Sequence, residues 1–157
     1  MKNVLIIGAT GSLATVVTEE LKKQPDVRLR LFARNTASLS AAGNVTLMRG
    51  DAMDYDTVRE AVSGQDIVYV NLAGNLEAMA ENIVRAMKEA GVKRIIAVSS
   101  IGIYHTPLKS ILKPYRALAD VVESSGLAYT ILRPDWFTHG NEVSYMLTHK
   151  GQPEAGS

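Results

Sequence analysis

The chain has 157 residues, 46% hydrophobic and 21% charged, with 17 Lys+Arg against 16 Asp+Glu for a net charge of +1. This fits one globular domain with a buried core and excludes a disordered chain; near-neutrality without a basic stripe argues against a nucleic-acid partner. The absence of cysteine excludes disulfides, zinc–thiolate centres and cysteine nucleophiles, and no apolar run nears the roughly 20 residues that span a bilayer, so a cytoplasmic protein off the membrane is expected.

Short β-branched runs alternate with stretches of helical period. Val4-Leu5-Ile6-Ile7 reads as a buried strand, and Leu13, Val16, Val17 and Leu21 follow as one face of a helix. A second strand spans Val27 to Ala33, where alternating Arg28 and Arg30 imply one face open to water near a sheet edge. Residues 44–48 form a third strand, and Asp54 reads as the N-cap of a helix carrying Val58 and Val62, with Gly64 as its stop. Ile67 to Val70 is a fourth strand. Leu76, Met79, Ala80, Ile83, Val84 and Met87 stripe a long helix ended by Gly91. Arg94 to Val98 is a fifth strand, Leu108 to Ser125 a helix that Pro114 kinks or restarts, and Tyr129 to Leu132 a sixth strand cut off by Pro134. The tail 138–157 is polar and aperiodic. Apolar strands each followed by a helix imply an α/β doubly wound parallel sheet of Rossmann type over residues 1–157, in the order 3-2-1-4-5-6.

Gly8-Ala9-Thr10-Gly11-Ser12-Leu13-Ala14 joins the first strand to the first helix. Gly8 permits a tight turn, Gly11 lets a pyrophosphate approach the backbone, and Ala14 lets the helix sit close to the strand. The free N–H groups around Thr10, Ser12 and Leu13, with the helix dipole, suit the phosphates of a dinucleotide. The order strand, loop, helix is the context this motif needs. At the end of the second strand, an enzyme selective for NAD carries an acid for the ribose 2′-OH. Here Arg34 stands instead. Its guanidinium fork matches a 2′-phosphate, with Asn35 and Thr36 as added donors, so NADP(H) is the expected cofactor and NAD(H) the second choice.

This loop, with Val98-Ser99-Ser100 and the stretch from Gly126 to Arg133-Pro134, resembles the atypical short-chain dehydrogenase/reductase superfamily, in its NmrA-like and NAD(P)H-binding branch. The resemblance covers nearly the whole chain. It implies that Arg34 confers NADP preference and that Asp51 and Ala52 lie along the adenine. Asn71, Leu72, Ala73 and Gly74, at the end of the fourth strand, would then form a small-residue turn beside the ribose of the nicotinamide half. Asp51 reads equally as a turn residue, and Gly74 as a chain reversal. Members of this family continue past the sixth strand, which implies that this chain is a shortened form.

In short-chain dehydrogenases a Tyr protonates the substrate, a Lys four residues later assists it, and a Ser orients the carbonyl. The resemblance nominates Ser100 and Tyr115 as catalytic residues. The residue four after Tyr115 is Ala119, however, and an alignment counted from Ser125-Gly126 puts Tyr115 at the Lys position and Ile111 at the Tyr position. The Tyr–Lys pair is incomplete either way. Tyr115 reads equally as a ring packed on the sheet. Trp136 and Phe137 either line a pocket over the nicotinamide or close the core. His105, His139 and His149 lack metal spacing, so no metal is expected. Asp135 and His139 have no Gly-x-Ser-x-Gly elbow to complete a hydrolase triad. The expectation is an NADPH-dependent oxidoreductase acting on a small carbonyl, quinone or flavin-like acceptor. The alternative is a non-catalytic NADP-sensing regulator of the NmrA type.

Overall fold

The structure, a computed structural model, describes residues 1–134. Its strands are β1 (Lys2–Ile7), β2 (Val27–Ala33), β3 (Val45–Arg49), β4 (Ile67–Val70), β5 (Arg94–Val98) and β6 (Ala128–Leu132). Its helices are α1 (Ser12–Lys22), α2 (Tyr55–Val62), α3 (Leu76–Ala90) and α4 (Lys113–Glu123). The strands form one sheet in the order β3-β2-β1-β4-β5-β6, and every neighbouring pair is parallel. This is the doubly wound topology expected from the alternation of apolar runs and helices. The order reverses between β1 and β4, and ligands of such sheets bind beyond the strands' carboxyl ends at that switch.

Side-chain alternation divides the core between two faces. Leu5, Ile7, Phe32, Val68, Val70, Ile95 and Ala97 face α2, α3 and α4, which contribute Val58, Val62, Leu76, Ile83, Met87, Leu118 and Val122. Val4, Ile6, Leu29, Leu31, Tyr69 and Val98 form the second face, against which Leu13, Ala14, Val17 and Leu21 of α1 pack. Caps set the helix ends as the sequence suggests. The Asp54 carboxylate accepts from the Asp56 N–H and the Thr57 hydroxyl, and Gly64 and Gly91 adopt the left-handed conformation just past α2 and at the end of α3.

Several expectations are corrected. The helix expected from Leu108 starts at Lys113: Ser110–Leu112 is a 3-10 turn, and Pro114, which has no N–H to donate, falls in the first turn of α4. β3 lies one residue later than expected, at Val45–Arg49. β2 lies one strand in from the sheet edge, and the water-facing positions expected on it are met by Arg28, which is exposed. Arg30 is half-buried. Its guanidinium donates to the carbonyls of Ala61 (2.8 Å), Glu60 and Ser63, capping the end of α2. Val16, expected on the apolar stripe of α1, is 56% exposed. No helix among the described residues is long and apolar enough to cross a membrane. Asp135, Trp136, Phe137, His139, His149 and the tail 138–157 lie outside the described residues.

Candidate functional site

The glycine loop sits at the switch in strand order, held almost wholly by backbone. The Gly8 and Ala9 N–H groups both donate to the Phe32 carbonyl at the end of β2, at 2.9 and 3.1 Å. The Gly11 N–H closes a turn onto the Gly8 carbonyl, and the Asn71 N–H, just past β4, donates to Ile7. Gly8 has φ +84, and a Cβ there would lie 2.0 Å from the Asn71 carbonyl oxygen, so only glycine fits. Ala14 is fully buried where α1 meets the sheet.

At the start of α1, Thr15 N–H donates to the Gly11 carbonyl and Ala14 N–H to Asn71 Oδ1 at 2.9 Å. The N–H groups of Ser12 and Leu13 make no hydrogen bond within the described residues. Thr10 and Ser12 are exposed beside them. Two unsatisfied amides at the positive end of a helix dipole, next to two glycines that carry no side chain of their own, fit a pyrophosphate. The sequence placed Asn71 only in the turn after the fourth strand, not against the glycine loop. Its side chain takes the space at Gly11: a Cβ there would lie 2.3 Å from Asn71 Oδ1.

Arg34 is exposed directly after β2, and Asn35 forms an Asx turn by accepting from Ala37 N–H. A second cation stands beside it, one that sequence reasoning missed. Arg49, the last residue of β3, pairs in register with Ala33, and its Nε donates to the Arg34 carbonyl at 3.2 Å. Two exposed arginines thus stand at the carboxyl ends of adjacent strands, with no acid at the end of β2 and Asp51 two residues beyond β3, a charge distribution that suits a phosphate dianion. Asp51 accepts from the Met53 N–H at 2.9 Å, so its turn role is realised, while Ala52 is buried and its carbonyl accepts from the Asn82 amide. Leu72 is half-buried and Ala73 exposed. Gly74 has φ +97, leading into Asn75, which caps α3 by accepting from the Ala78 N–H.

The far side of the site is the loop between β5 and α4. Ser99 and Ser100 are each 3% exposed. Ser99 donates to the Tyr115 carbonyl at 2.8 Å, and Ser100 to the Ile101 carbonyl at 3.0 Å. Tyr115 lies in the first turn of α4, half-buried against the core, and Ala119 four residues on is fully buried. The structure thus brings Ser100 and Tyr115 to the same sheet edge without a lysine four residues along the helix. Tyr104 donates its hydroxyl to Glu123, and its ring lies 5.2 and 5.1 Å from the guanidinium carbons of Arg116 and Arg133. Burial, then the Glu123 carboxylate, hold its phenol protonated well above the usual tyrosine range. Arg116 binds the Ile103 carbonyl and Asp120, tying this loop to α4. His105 is exposed, and no cluster suited to a metal occurs among the described residues. A cavity of about 250 Å³ lined by Asn3, Arg28, Arg30 and Gln65 lies at the opposite, amino ends of the strands and is separate from this site.

Comparison with known proteins agrees with this geometry. Residues 8–157 match the NAD(P)H-binding family. A Rossmann-fold NAD(P)-binding family protein from Shigella flexneri is 42% identical, with 98% of this chain and 77% of that one aligned and a TM-score of 0.86. An NADPH-dependent quinone oxidoreductase from Escherichia coli, solved with NADPH, is 28% identical over 85% of this chain and 49% of that one, TM-score 0.75. The negative transcriptional regulator NmrA, at 22% identity and TM-score 0.73 over 83% of this chain and 44% of that one, shares the fold. An isoflavone reductase homolog from Nicotiana tabacum is 27% identical over 97% of this chain and 52% of that protein. The chain spans about half the length of the first curated relatives it matches. With its glycine loop at the switch point of a 3-2-1-4-5-6 sheet, the chain belongs to the NAD(P)H-binding family.

Proposed function

We propose that the chain is the cofactor-binding part of an NADPH-dependent oxidoreductase that reduces a small carbonyl, quinone or flavin-like acceptor. The observation that carries the cofactor choice is the pair Arg34 and Arg49 beside the phosphate loop, with no acid at the end of β2. In this reading Gly8, Thr10, Gly11, Ser12 and Leu13 receive the pyrophosphate. Arg34 and Arg49 hold the 2′-phosphate, and Asp51 and Ala52 border the adenine. Leu72, Ala73 and Gly74 border the second ribose. The dinucleotide, when bound, supplies the hydride. Ser100 and Tyr115 stand at the acceptor end. Tyr115 there offers a hydrogen bond and not an activated acid, because Ala119 occupies the position of an assisting lysine. A quinone or flavin suits such a site, since its reduction depends less on a protein acid at the moment of hydride transfer.

A second reading is a dinucleotide-sensing regulator without turnover. The same incomplete pair favours it, and so does the engagement of the Ser99, Ser100 and Tyr104 hydroxyls with protein partners. Steady-state oxidation of NADPH against a panel of quinones, flavins and small carbonyls separates the two. Turnover with any acceptor supports the reductase. Tight NADPH binding with no turnover across the panel supports the regulator, and no binding of NADPH overturns both.

A further inference from the structure

Asn71 joins the two halves of the site. Its backbone N–H holds β1 through Ile7, its carbonyl lies where a Cβ on Gly8 would be, and its side chain lies where a Cβ on Gly11 would be. Both glycines of the loop therefore make room for Asn71 as well as for any phosphate. The Oδ1 atom accepts from the Ala14 N–H at 2.9 Å, while Gly11, the residue at the N-cap position, has no side chain to do so. That bond fixes the orientation of the amide, since only its oxygen can accept. Its Nδ2 then lies against Gly11, 3.2 Å from the Cβ position, and donates no hydrogen bond within the described residues. A half-buried amide thus keeps spare donors against Gly11, the residue that precedes the unsatisfied N–H groups of Ser12 and Leu13.

A carboxylate would serve the empty protein at least as well. Aspartate caps a helix as strongly as asparagine, and the dipole favours a negative charge at that end. What a carboxylate could not do is share the helix end with a pyrophosphate, because it repels the phosphates and has no N–H to donate.

We infer that Asn71 is a neutral cap and positioning residue for the dinucleotide: Oδ1 holds the Ala14 amide, Nδ2 is turned to the pyrophosphate, and the absence of charge is what keeps the site open to anions. This rests on the dinucleotide reading above. It separates two quantities that ordinary damage moves together, the stability of the empty protein and its affinity for NADPH.

The test is Asn71→Asp, with Asn71→Ala beside it. Each is titrated calorimetrically with NADPH and with adenosine 2′-phosphate, which carries the 2′-phosphate but no pyrophosphate. Melting temperatures are taken without ligand. For Asn71→Asp the melting temperature stays level or rises, NADPH affinity falls about thirtyfold or more, and adenosine 2′-phosphate affinity changes less than about threefold. For Asn71→Ala the melting temperature falls by a few degrees, as for a lost cap, and NADPH affinity falls less than with Asp. The inference is overturned if Asn71→Asp binds NADPH as the parent does, if it melts lower or fails to fold, if both ligands weaken alike, or if Ala and Asp lose NADPH equally. If the parent itself binds no NADPH, the dinucleotide reading falls and this inference with it. If the parent binds and Asn71→Asp binds equally, this inference falls alone.

Discussion

The two ends of the candidate site are built in different ways. At the phosphate end, position is set by main chain: Gly8 and Ala9 on the Phe32 carbonyl, Gly11 on Gly8, Asn71 on Ile7, with two amides of α1 left over. At the acceptor end, between β5 and α4, position is set by side chains. Ser99 is tied to Tyr115, Ser100 to Ile101, Tyr104 to Glu123, and Arg116 to Ile103 and Asp120. One end keeps its donors free for a ligand, and the other engages its hydroxyls in holding a loop on a helix. The lesson is that the features suited to a dinucleotide follow here from chain geometry, whereas on the proposed reductase reading the acceptor chemistry would come from the cofactor or from groups beyond those two elements.

The comparison breaks most visibly at Gly11. Gly11→Val fills the approach to the backbone and must displace the Asn71 side chain, whose Oδ1 lies 2.3 Å from the new Cβ. NADPH affinity is expected to fall about hundredfold or more, with a lowered melting temperature from the lost cap on Ala14. Calorimetric titration and thermal melting check both, and parent values in both would contradict the loop assignment. Arg49→Gln sharpens the account of the 2′-phosphate. NADPH should bind about three- to tenfold more weakly while NADH is unchanged, because an exposed charge-assisted contact contributes modestly and only one nucleotide carries that phosphate. Competition titrations with both nucleotides decide it, and equal loss for the two would remove Arg49 from the phosphate site. At the acceptor end the expected effect is small. Tyr115→Phe should leave any NADPH-dependent kcat/KM within about fivefold of the parent, where loss of a general acid typically costs about 10²–10⁴-fold. A hundredfold drop at unchanged NADPH affinity would restore Tyr115 as a proton donor.

The same contrast explains what could be read from the chain alone. All six strands and their order were legible, because runs such as Val4 to Ile7 and Val68 to Val70 are buried on both faces and each is followed by a helical stripe. The tight glycine turn was legible because its glycines act within four residues of one another. Arg49 was not, since its meaning comes only from the β2–β3 register that sets it beside Arg34. Nor was the role of Asn71, whose partner Ala14 lies 57 residues away in sequence. Tracing the helix back to Leu108 failed because a 3-10 turn and Pro114 precede the α-helical hydrogen bonding, and apolar spacing alone does not register that boundary. Arg30 read only as a residue on a water-facing side, because alternation reports which way a side chain points, not whether a helix end waits there to receive it.

The central claim is that this loop binds a dinucleotide and that the arginines beside it select the phosphorylated one. Direct titration of the protein with NADPH and NADH, repeated on Arg34→Asp, tests it. The account predicts that NADPH binds at least about tenfold more tightly than NADH and that the substitution reverses this order, a charge-assisted contact of about 1.5–3 kcal/mol being replaced by repulsion of the 2′-phosphate. Equal dissociation constants for the two nucleotides in the parent, or a preference untouched by Arg34→Asp, would contradict it.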